Sequence, residues 1–561
     1  MKREISHLSD KNYDLLVIGG GIYGACVAWE ASLRGLSVAL VEKNDFGSAT
    51  SANSLKIIHG GLRYLQNADF RRMRQSIFER KTLLKIAPHL VHPLPVLLPT
   101  FAYGLKSREL LRLALKINDL VSWDRNQDLP DSQKHIPSGR VLSHKEILQL
   151  IPGFSATNLM GGVLFHDAQV YNSERLTLAF IKSAAERGAK VANYAEVIGL
   201  LQSQGRVYGA KIKDSLTTDI FDLQAKAIIN TSGPWLTEVL RSLQGKDSSL
   251  KVPLAKAINL VTRRLFDHSY AVGLPSQSEY GKSGKDNRLF FIAPWRGKSL
   301  VGTVYSAYQN NPDALTVQEE EITSFIHNIN QAYPSAKLCT DDVNFVHRGL
   351  LPCSTIKSQA ETLQLAQHYQ LYNHQQDGFA GLLSVVGVKY TTARGIAQKA
   401  VDWVFQMRGE QRTQSISSII PLYGGQIDQF DAFLMEAQRT HASFLSATSV
   451  QRLVYNYGSV YPKVLEYFDG EQRSRNDLAV LKAETKYAIN EEMAQKLSDV
   501  VFRRTELGSA GMPNYETLQL CAEVMGQELG WDWKKIRDEL QEVSHSFNIN
   551  FPPYQSSTVI R

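Results

Sequence analysis

Residues 13–64 read YDLLVIGGGIYGACVAWEASLRGLSVALVEKNDFGSATSANSLKIIHGGLRY, and this stretch restricts the chain to few folds. The apolar run Leu15–Ile18 enters a glycine-rich turn. A helical pattern follows, and a second apolar run, Val38–Val41, ends on Glu42. Strand, Gly-x-Gly-x-x-Gly, helix, strand and closing acid together describe a β-α-β unit that holds a dinucleotide. Gly19 makes the tight turn, Gly21 lets backbone approach a pyrophosphate, and Gly24 lets the helix sit close against the strand. The pyrophosphate would rest beside Ile22, at the helix start, where unpaired N–H groups and the helix dipole favour an anion. Glu42, followed by Lys43, falls where an acid bonds a ribose hydroxyl. That acid argues against a 2′-phosphate but leaves FAD and NAD open.

At 561 residues the chain is long enough for two or three domains with large cores. Its 43% hydrophobic and 21% charged residues are those of an ordinary soluble globular protein. No apolar run approaches the length of a membrane span, and the N-terminal MKREISHLSDKN has no apolar core to make a secretory signal. Four cysteines (Cys26, Cys339, Cys353, Cys521) lack C-x-x-C spacing. They suit a reducing cytosol and give no metal site. The net charge of +7 fits an anionic substrate or an anionic membrane surface, and is too diffuse to argue for nucleic acid.

The second half of the opening stretch carries small polar residues (Ser48, Thr50, Ser51, Asn53, Ser54) into KIIHGGLRYL. Short hydroxyl and amide side chains suit a segment lying along a cofactor. His59-Gly60-Gly61 lets backbone pass close to a bulky group, with Arg63 and Tyr64 beside it. The pattern A-T-S-x-x-S-x-K-x-I-H-G-G-L-R-Y-L resembles the flavin-contacting signature of FAD-dependent glycerol-3-phosphate dehydrogenases and oxidases.

The resemblance implies an α/β + α chain: a glutathione-reductase-like FAD-binding domain, a D-amino-acid-oxidase-like antiparallel-sheet substrate domain, and a C-terminal helical domain. It continues downstream in order. Residues 158–176 resemble a G-G-x-x-x-x-D-x-x-V segment, and Glu196-Val197 the place where backbone holds the adenosine half of FAD. Thr231-Ser232-Gly233 matches an A-T-G turn near the cofactor, and GVKYTTAR matches a G-G-K-x-T-T-x-R motif in which Val388 replaces one glycine. The expected FAD contacts are therefore Gly19, Gly21, Ile22, Gly24, Glu42, Lys43, Thr50, Ser51, Ser54, Lys56, His59, Val197, Thr231, Ser232, Gly233, Lys389, Tyr390 and Thr391. The expected segmentation is 1–100, 155–250 and 340–406 for the FAD domain and 101–154 and 251–339 for the substrate domain. A linker, 407–426, then leads to helices over 427–561.

Oxidising a secondary alcohol on a flavin requires a base for the hydroxyl proton and an anchor for the charged end of the substrate. His59 is the candidate base, because imidazole titrates near neutral pH, with Arg63 and Tyr64 lining the pocket and Lys389 tuning the flavin. The anchor departs from the family. The family's first phosphate-clamping arginine falls on Leu351 of Gly349-Leu350-Leu351-Pro352, and its second falls within QLAQHYQ (364–370), which has no arginine. Asn259 stands where relatives have a histidine, and Val304-Tyr305 replaces Thr-Asp. Lys256, Arg288 and Arg348 are the substitute anchors. Three functions follow: glycerol 3-phosphate oxidation with a rebuilt anchor, oxidation of another alcohol or an amine on the same scaffold, or an inert flavin-binding subunit.

Residues 104–124 place Leu110, Leu113, Ile117, Leu120 and Val121 on one helical face and Arg108, Arg112 and Lys116 on another, a core-facing helix with a solvated side. The alternative is a membrane contact, which the resemblance favours because related dehydrogenases pass electrons to membrane quinone. A cytoplasmic location is expected, with a peripheral position on the inner face of the cytoplasmic membrane as the alternative; a homodimer is left open.

Overall fold

The strand Tyr13–Ile18 sits at the centre of the molecule because both its faces are apolar, as a strand covered on both sides requires. A computed structural model describes residues 1–101, 108–154, 159–243, 248–275, 289–355, 363–468 and 477–547. Tyr13–Ile18 pairs in parallel with Val38–Val41 on one side and Ile220–Asn230 on the other. Lys190–Ala192 and Leu382–Val386 extend the parallel sheet, and Gln370–Asn373 adds an antiparallel edge. One face carries the helices Ile22–Leu33, Ser173–Glu186 and Ala393–Arg408, whose Cys26, Ala28, Phe180, Ile396 and Ala400 bury against Leu15, Val17 and Leu40. The other face is covered by the antiparallel strands Ala195–Ser203 and Arg206–Asp214, through Leu200, Val207, Ala210 and Ile212.

A second, ten-stranded sheet is mixed and mostly antiparallel. At its centre Leu254–Thr262 pairs with Lys298–Tyr308 and with Val343–Thr355. One face buries Ile258, Leu260, Val301 and Val346 against Ile322, Phe325 and Ile329 of the helix Glu319–Ala332. The other faces the flavin-domain segments. The strand pairing corrects the sequence segmentation at three places. Val91–Phe101, Leu159–Val170 and Val343–Thr355 all belong to this second sheet, although residues 1–100, 155–250 and 340–406 were assigned to the first domain. Their apolar runs mark them as strands, but pairing partners lie far away in the chain and leave no local signal.

After Arg408 the connecting segment lies along the flavin domain, with Leu422 N donating to Ile86 O at 2.8 Å. Beyond it the chain is helical: Phe430–His441, Ala447–Tyr457, Asp477–Glu492, Tyr515–Leu529 and Trp533–Phe547. Charge, not only apolar packing, docks this domain. Arg504 places Nη1 and Nη2 on the Asp45 carboxylate at 2.8 and 2.7 Å, and Arg503 Nε reaches the same group at 2.5 Å. Arg175 forms a matching fork on Glu492, at 2.7 and 3.0 Å. Asp45, Arg504, Arg175 and Glu492 are buried, and Arg503 is partly buried.

Burial would raise the Asp45 carboxyl, but the two guanidinium groups outweigh it and hold the group down at about 2. With its pKa depressed in the fold, Asp45 contributes its full stabilisation above the ordinary carboxylate range and loses it as the pH falls toward about 2. Replacing Asp45 by Asn keeps the shape and removes the carboxylate that Arg503 and Arg504 share, leaving Arg503 to Asp499 and Arg504 to Glu492, a loss of about 3 kcal/mol. In a urea titration at neutral pH, Asp45→Asn should unfold at a clearly lower midpoint; an unchanged midpoint would contradict this role.

Candidate active site

A cavity of about 1670 Å³ runs between the two sheets. Pockets for one drug-sized ligand span about 300–1,000 Å³, so this one has room for a dinucleotide and a small substrate together. At one end the wall is made by Gly19, Gly21 and Ile22, then Glu42, Lys43, Val197 and Thr231–Gly233. Thr50, Ser51, Ser54 and Lys389–Thr391 follow, and His59, Tyr64 and Leu351 also line it.

The glycines do what their spacing demands. Gly19 has φ +100°, and a Cβ on Gly24 would come 1.8 Å from Gly19 O and 2.7 Å from Thr231 Oγ1, so no larger residue fits there. Gly21 caps the helix Ile22–Leu33 without a side-chain acceptor, which leaves the helix start to an incoming anion, although Ser51 Oγ takes the Ile22 N–H at 3.0 Å. Glu42 is fixed before any ligand arrives. Its carboxylate accepts from Gly20 N at 2.7 Å and Asn44 N at 2.9 Å, and burial pushes its pKa up. This cradle, with an acid aimed at the wall and no Cβ in the way, fits a dinucleotide.

The small polar loop is stapled to the second sheet. Thr50 Oγ1 donates to Leu350 O at 2.9 Å and accepts from Leu350 N at 3.1 Å. Asn259 Nδ2 donates to Asn53 O at 3.1 Å, while its Oδ1 accepts from Thr303 Oγ1 at 2.7 Å, so Asn259 positions the loop. Tyr23, which sequence reasoning passed over as part of the glycine motif, orders the third cavity segment. Its hydroxyl donates to Lys389 O at 2.8 Å and accepts from Val388 N and Lys389 N, each at 3.1 Å. Tyr390 OH is anchored on Ser173 O at 2.8 Å.

His59 projects half-exposed into the cavity. Its Nδ1 lies 3.0 Å from Asp167 Oδ2, which leaves Nε2 facing the cavity. Asp167 Oδ1 accepts from Gly60 N at 2.6 Å and from Arg80 Nη1 at 3.0 Å. A Cβ on Gly60 would fall 2.1 Å from Arg80 Nη1, so a larger residue here would push the guanidinium off Asp167. Burial opposes ionisation of Asp167, but the hydrogen bond and charge of His59, together with Arg80, hold its pKa below the usual value. A carboxylate at Nδ1 fixes the imidazole tautomer with Nε2 as acceptor and stabilises the cation formed when Nε2 takes a proton. Asp167 is the acid of the G-G-x-x-x-x-D segment, to which sequence reasoning gave no role.

Several sequence-predicted residues lie elsewhere. Lys56 does not line the cavity: its Nζ is buried against Glu174 Oε2 at 2.7 Å, Ser173 Oγ at 3.0 Å and Ala52 O at 3.1 Å. Lys256 and Arg348 fall on the far face of their strands. Ala257, Asn259, Gly349 and Leu351 line the cavity and Lys256 and Arg348 do not; Lys256 Nζ pairs with Glu321 at 2.6 Å. A strand shows two faces, and sequence alone does not say which one meets the ligand. Arg288 and the side chain of Arg63 lie outside the described residues.

Residues 14–403 match a family model described as FAD dependent oxidoreductase, and residues 415–536 match the C-terminal domain of alpha-glycerophosphate oxidase. The chain belongs to the FAD-dependent oxidoreductase family. It is 30% identical to the glycerol-3-phosphate dehydrogenase of Synechocystis over 98% of this chain and 99% of that one. The bovine mitochondrial glycerol-3-phosphate dehydrogenase is 31% identical over 96% of this chain and 74% of the relative. The solved Bacillus halodurans glycerol-3-phosphate dehydrogenase complexed with FAD superposes with a TM-score of 0.77 at 28% identity, over 97% of this chain and 96% of that one. The antiparallel sheet above a parallel FAD fold and the C-terminal helical domain are thus those the sequence resemblance implied.

Asp167→Asn should leave flavin content unchanged, because the loop keeps its Gly60 contact, while the imidazole loses its anionic partner. The rate of flavin reduction should then fall far more than the apparent affinity for substrate in anaerobic stopped-flow. An equal or greater loss of affinity would assign Asp167 to substrate binding instead.

Proposed function

We propose that this FAD-dependent oxidoreductase oxidises the secondary alcohol of glycerol 3-phosphate to the ketone, giving dihydroxyacetone phosphate. The observation that carries the reading is the His59–Asp167 pair, with Nε2 open to the cavity beside Tyr64 and Lys389. The names of the relatives, which match nearly the whole chain, support the substrate class. When bound, FAD supplies the hydride acceptor, N5 of its isoalloxazine. The pyrophosphate would lie on Gly19–Ile22, the ribose on Glu42 and the adenosine near Val197 and Lys43. The isoalloxazine would lie between Thr50–Ser54 and Lys389–Thr391. His59 takes the hydroxyl proton on Nε2 as the C2–H bond gives up its hydride, and Asp167 steadies the resulting imidazolium.

His59→Asn should retain FAD and lower the rate of anaerobic flavin bleaching by glycerol 3-phosphate by about 10²–10⁴-fold, the usual worth of a positioned base. Bleaching of the wild-type protein by amines, and not by glycerol 3-phosphate, would instead favour the second reading, a relative that works on another substrate. That reading draws on Leu351, which stands on the cavity wall where the family's arginine is expected.

Electrons would leave to a membrane quinone. The helix Arg108–Val121 buries Leu115 but turns Leu113 (53% exposed) and Leu120 (74%) outward beside Arg112 and Lys116, with Trp123 (73%) just beyond. The sequence reading put Leu113 and Leu120 toward the core; the outward turn supports the membrane-contact alternative. A surface with leucine, tryptophan and lysine or arginine together suits an anionic bilayer interface. Among the described residues no helix is long and apolar enough to cross a membrane. Wild-type protein should co-sediment with vesicles containing anionic lipid, and the Leu113→Glu, Leu120→Glu double variant should stay in the supernatant. Equal partitioning of the two would count against this face.

A further inference from the structure

We propose that Arg72 is the residue that grips the phosphate end of the substrate, acting with Lys389 across the ring of Tyr64; the proposal rests on the glycerol 3-phosphate reading above. It answers a deficit. Leu351 occupies the place of one expected clamp arginine, the segment 364–370 contains none, and Lys256 and Arg348 turn away from the cavity. Among the described residues, the Lys and Arg side chains on the cavity wall are those of Lys43, Arg72 and Lys389. Lys43 is held by Asp313 at 2.6 Å over the Trp235 ring, next to the Thr231–Gly233 turn. Arg72 stands instead at the Tyr64 ring, where Lys389 also lies.

Arg72 comes from a different element but reaches the deficient segment. It lies in the first turn of the helix Phe70–Ile86, capped by Asp69, which accepts from Arg72 N at 3.0 Å. The Asp69 carboxylate also takes Arg72 Nε. Arg72 Nη1 donates to Gln367 O at 3.2 Å, inside the stretch where the second family arginine would stand. The guanidinium carbon sits 4.9 Å from the Tyr64 ring centroid, and Lys389 Nζ sits 4.1 Å from it. The fork is thus oriented through Nε and Nη1, and Nη2 carries no hydrogen bond among the described residues. Two cations thus meet at one aromatic ring, and the Asp69 carboxylate takes the Nε edge of the Arg72 fork. A phosphate monoester suits the open edge of that fork, because it brings between one and two negative charges and oxygens spaced for a guanidinium. An uncharged alcohol would not use this corner at all.

The test uses the full, FAD-loaded chain with Arg72→Gln and Arg72→Lys. Inorganic phosphate is titrated by calorimetry, and KM and kcat are measured with glycerol 3-phosphate and with unphosphorylated glycerol. Arg72→Gln should weaken phosphate and raise KM for glycerol 3-phosphate by about ten- to hundredfold, as expected for a lost hydrogen bond to a charged group. Both kcat and the slow rate with glycerol should stay within a few-fold. Arg72→Lys, a point charge without the fork, should fall between, and it carries the test alone if Arg72→Gln loses flavin. Phosphate affinity and KM within twofold of wild type in the variants would overturn the proposal, as would a wild-type protein that does not bind phosphate. If glycerol 3-phosphate fails to bleach the wild-type flavin, the substrate reading falls, while the phosphate titration still decides the role of Arg72.

Discussion

The Asp167 carboxylate joins the parts of this molecule that must meet for chemistry. It comes from the second sheet, accepts the Gly60 N–H of the flavin-side loop at 2.6 Å, receives Arg80 from the helix Phe70–Ile86 at 3.0 Å, and orients His59 at 3.0 Å. Removing a buried anion with three donors around it would leave Arg80 uncompensated and the imidazole free to turn, so structure and reactivity share one group. The same logic appears in the neighbouring staples. Thr50 on Leu350, Asn259 on Asn53 and Tyr23 on the Val388–Lys389 turn each tie a cavity-lining segment to an element that is already rigid. Sites supported in this way keep their geometry without help from the ligand.

Charge burial recurs at the C-terminal domain, where Arg503 and Arg504 converge on Asp45 and Arg175 converges on Glu492. Asp45 follows the acid Glu42 by a short loop, and Asn44 N donates to the Glu42 carboxylate at 2.9 Å. The helical domain therefore clamps the loop that shapes the ribose end of the cavity. This gives a physical task to the consecutive arginines Arg503 and Arg504. A buried ion pair adds little net stability over apolar packing, yet it is intolerant of a missing partner, which makes it a demanding latch.

The opening stretch was legible because its glycines are forced by geometry: the near-contacts at Gly19 and Gly24 exclude side chains, so their spacing survives as a pattern. The helices of the flavin domain were legible for a related reason, since their apolar faces repeat locally. What could not be read was orientation. Lys256 and Arg348 looked available as cations but sit on the strand face opposite the cavity, and Lys56 looked like part of a cofactor signature but is buried on Glu174. Pairing of Val91–Phe101, Leu159–Val170 and Val343–Thr355 into one sheet depends on partners distant in sequence. Asp167 and Tyr23 were inside quoted motifs, yet only the fold shows what their side chains hold. Nothing near Arg72 in the sequence points it toward Gln367.

The central claim is that hydride leaves a carbinol carbon while His59, oriented by Asp167, takes the hydroxyl proton. Anaerobic stopped-flow with glycerol 3-phosphate, carrying hydrogen or deuterium at C2, measures this directly. The account predicts that the flavin bleaches in a step slowed by deuterium, and that the step slows steeply in His59→Asn. A flavin that does not bleach, or one whose rate is indifferent to both deuterium and the loss of His59, would contradict it.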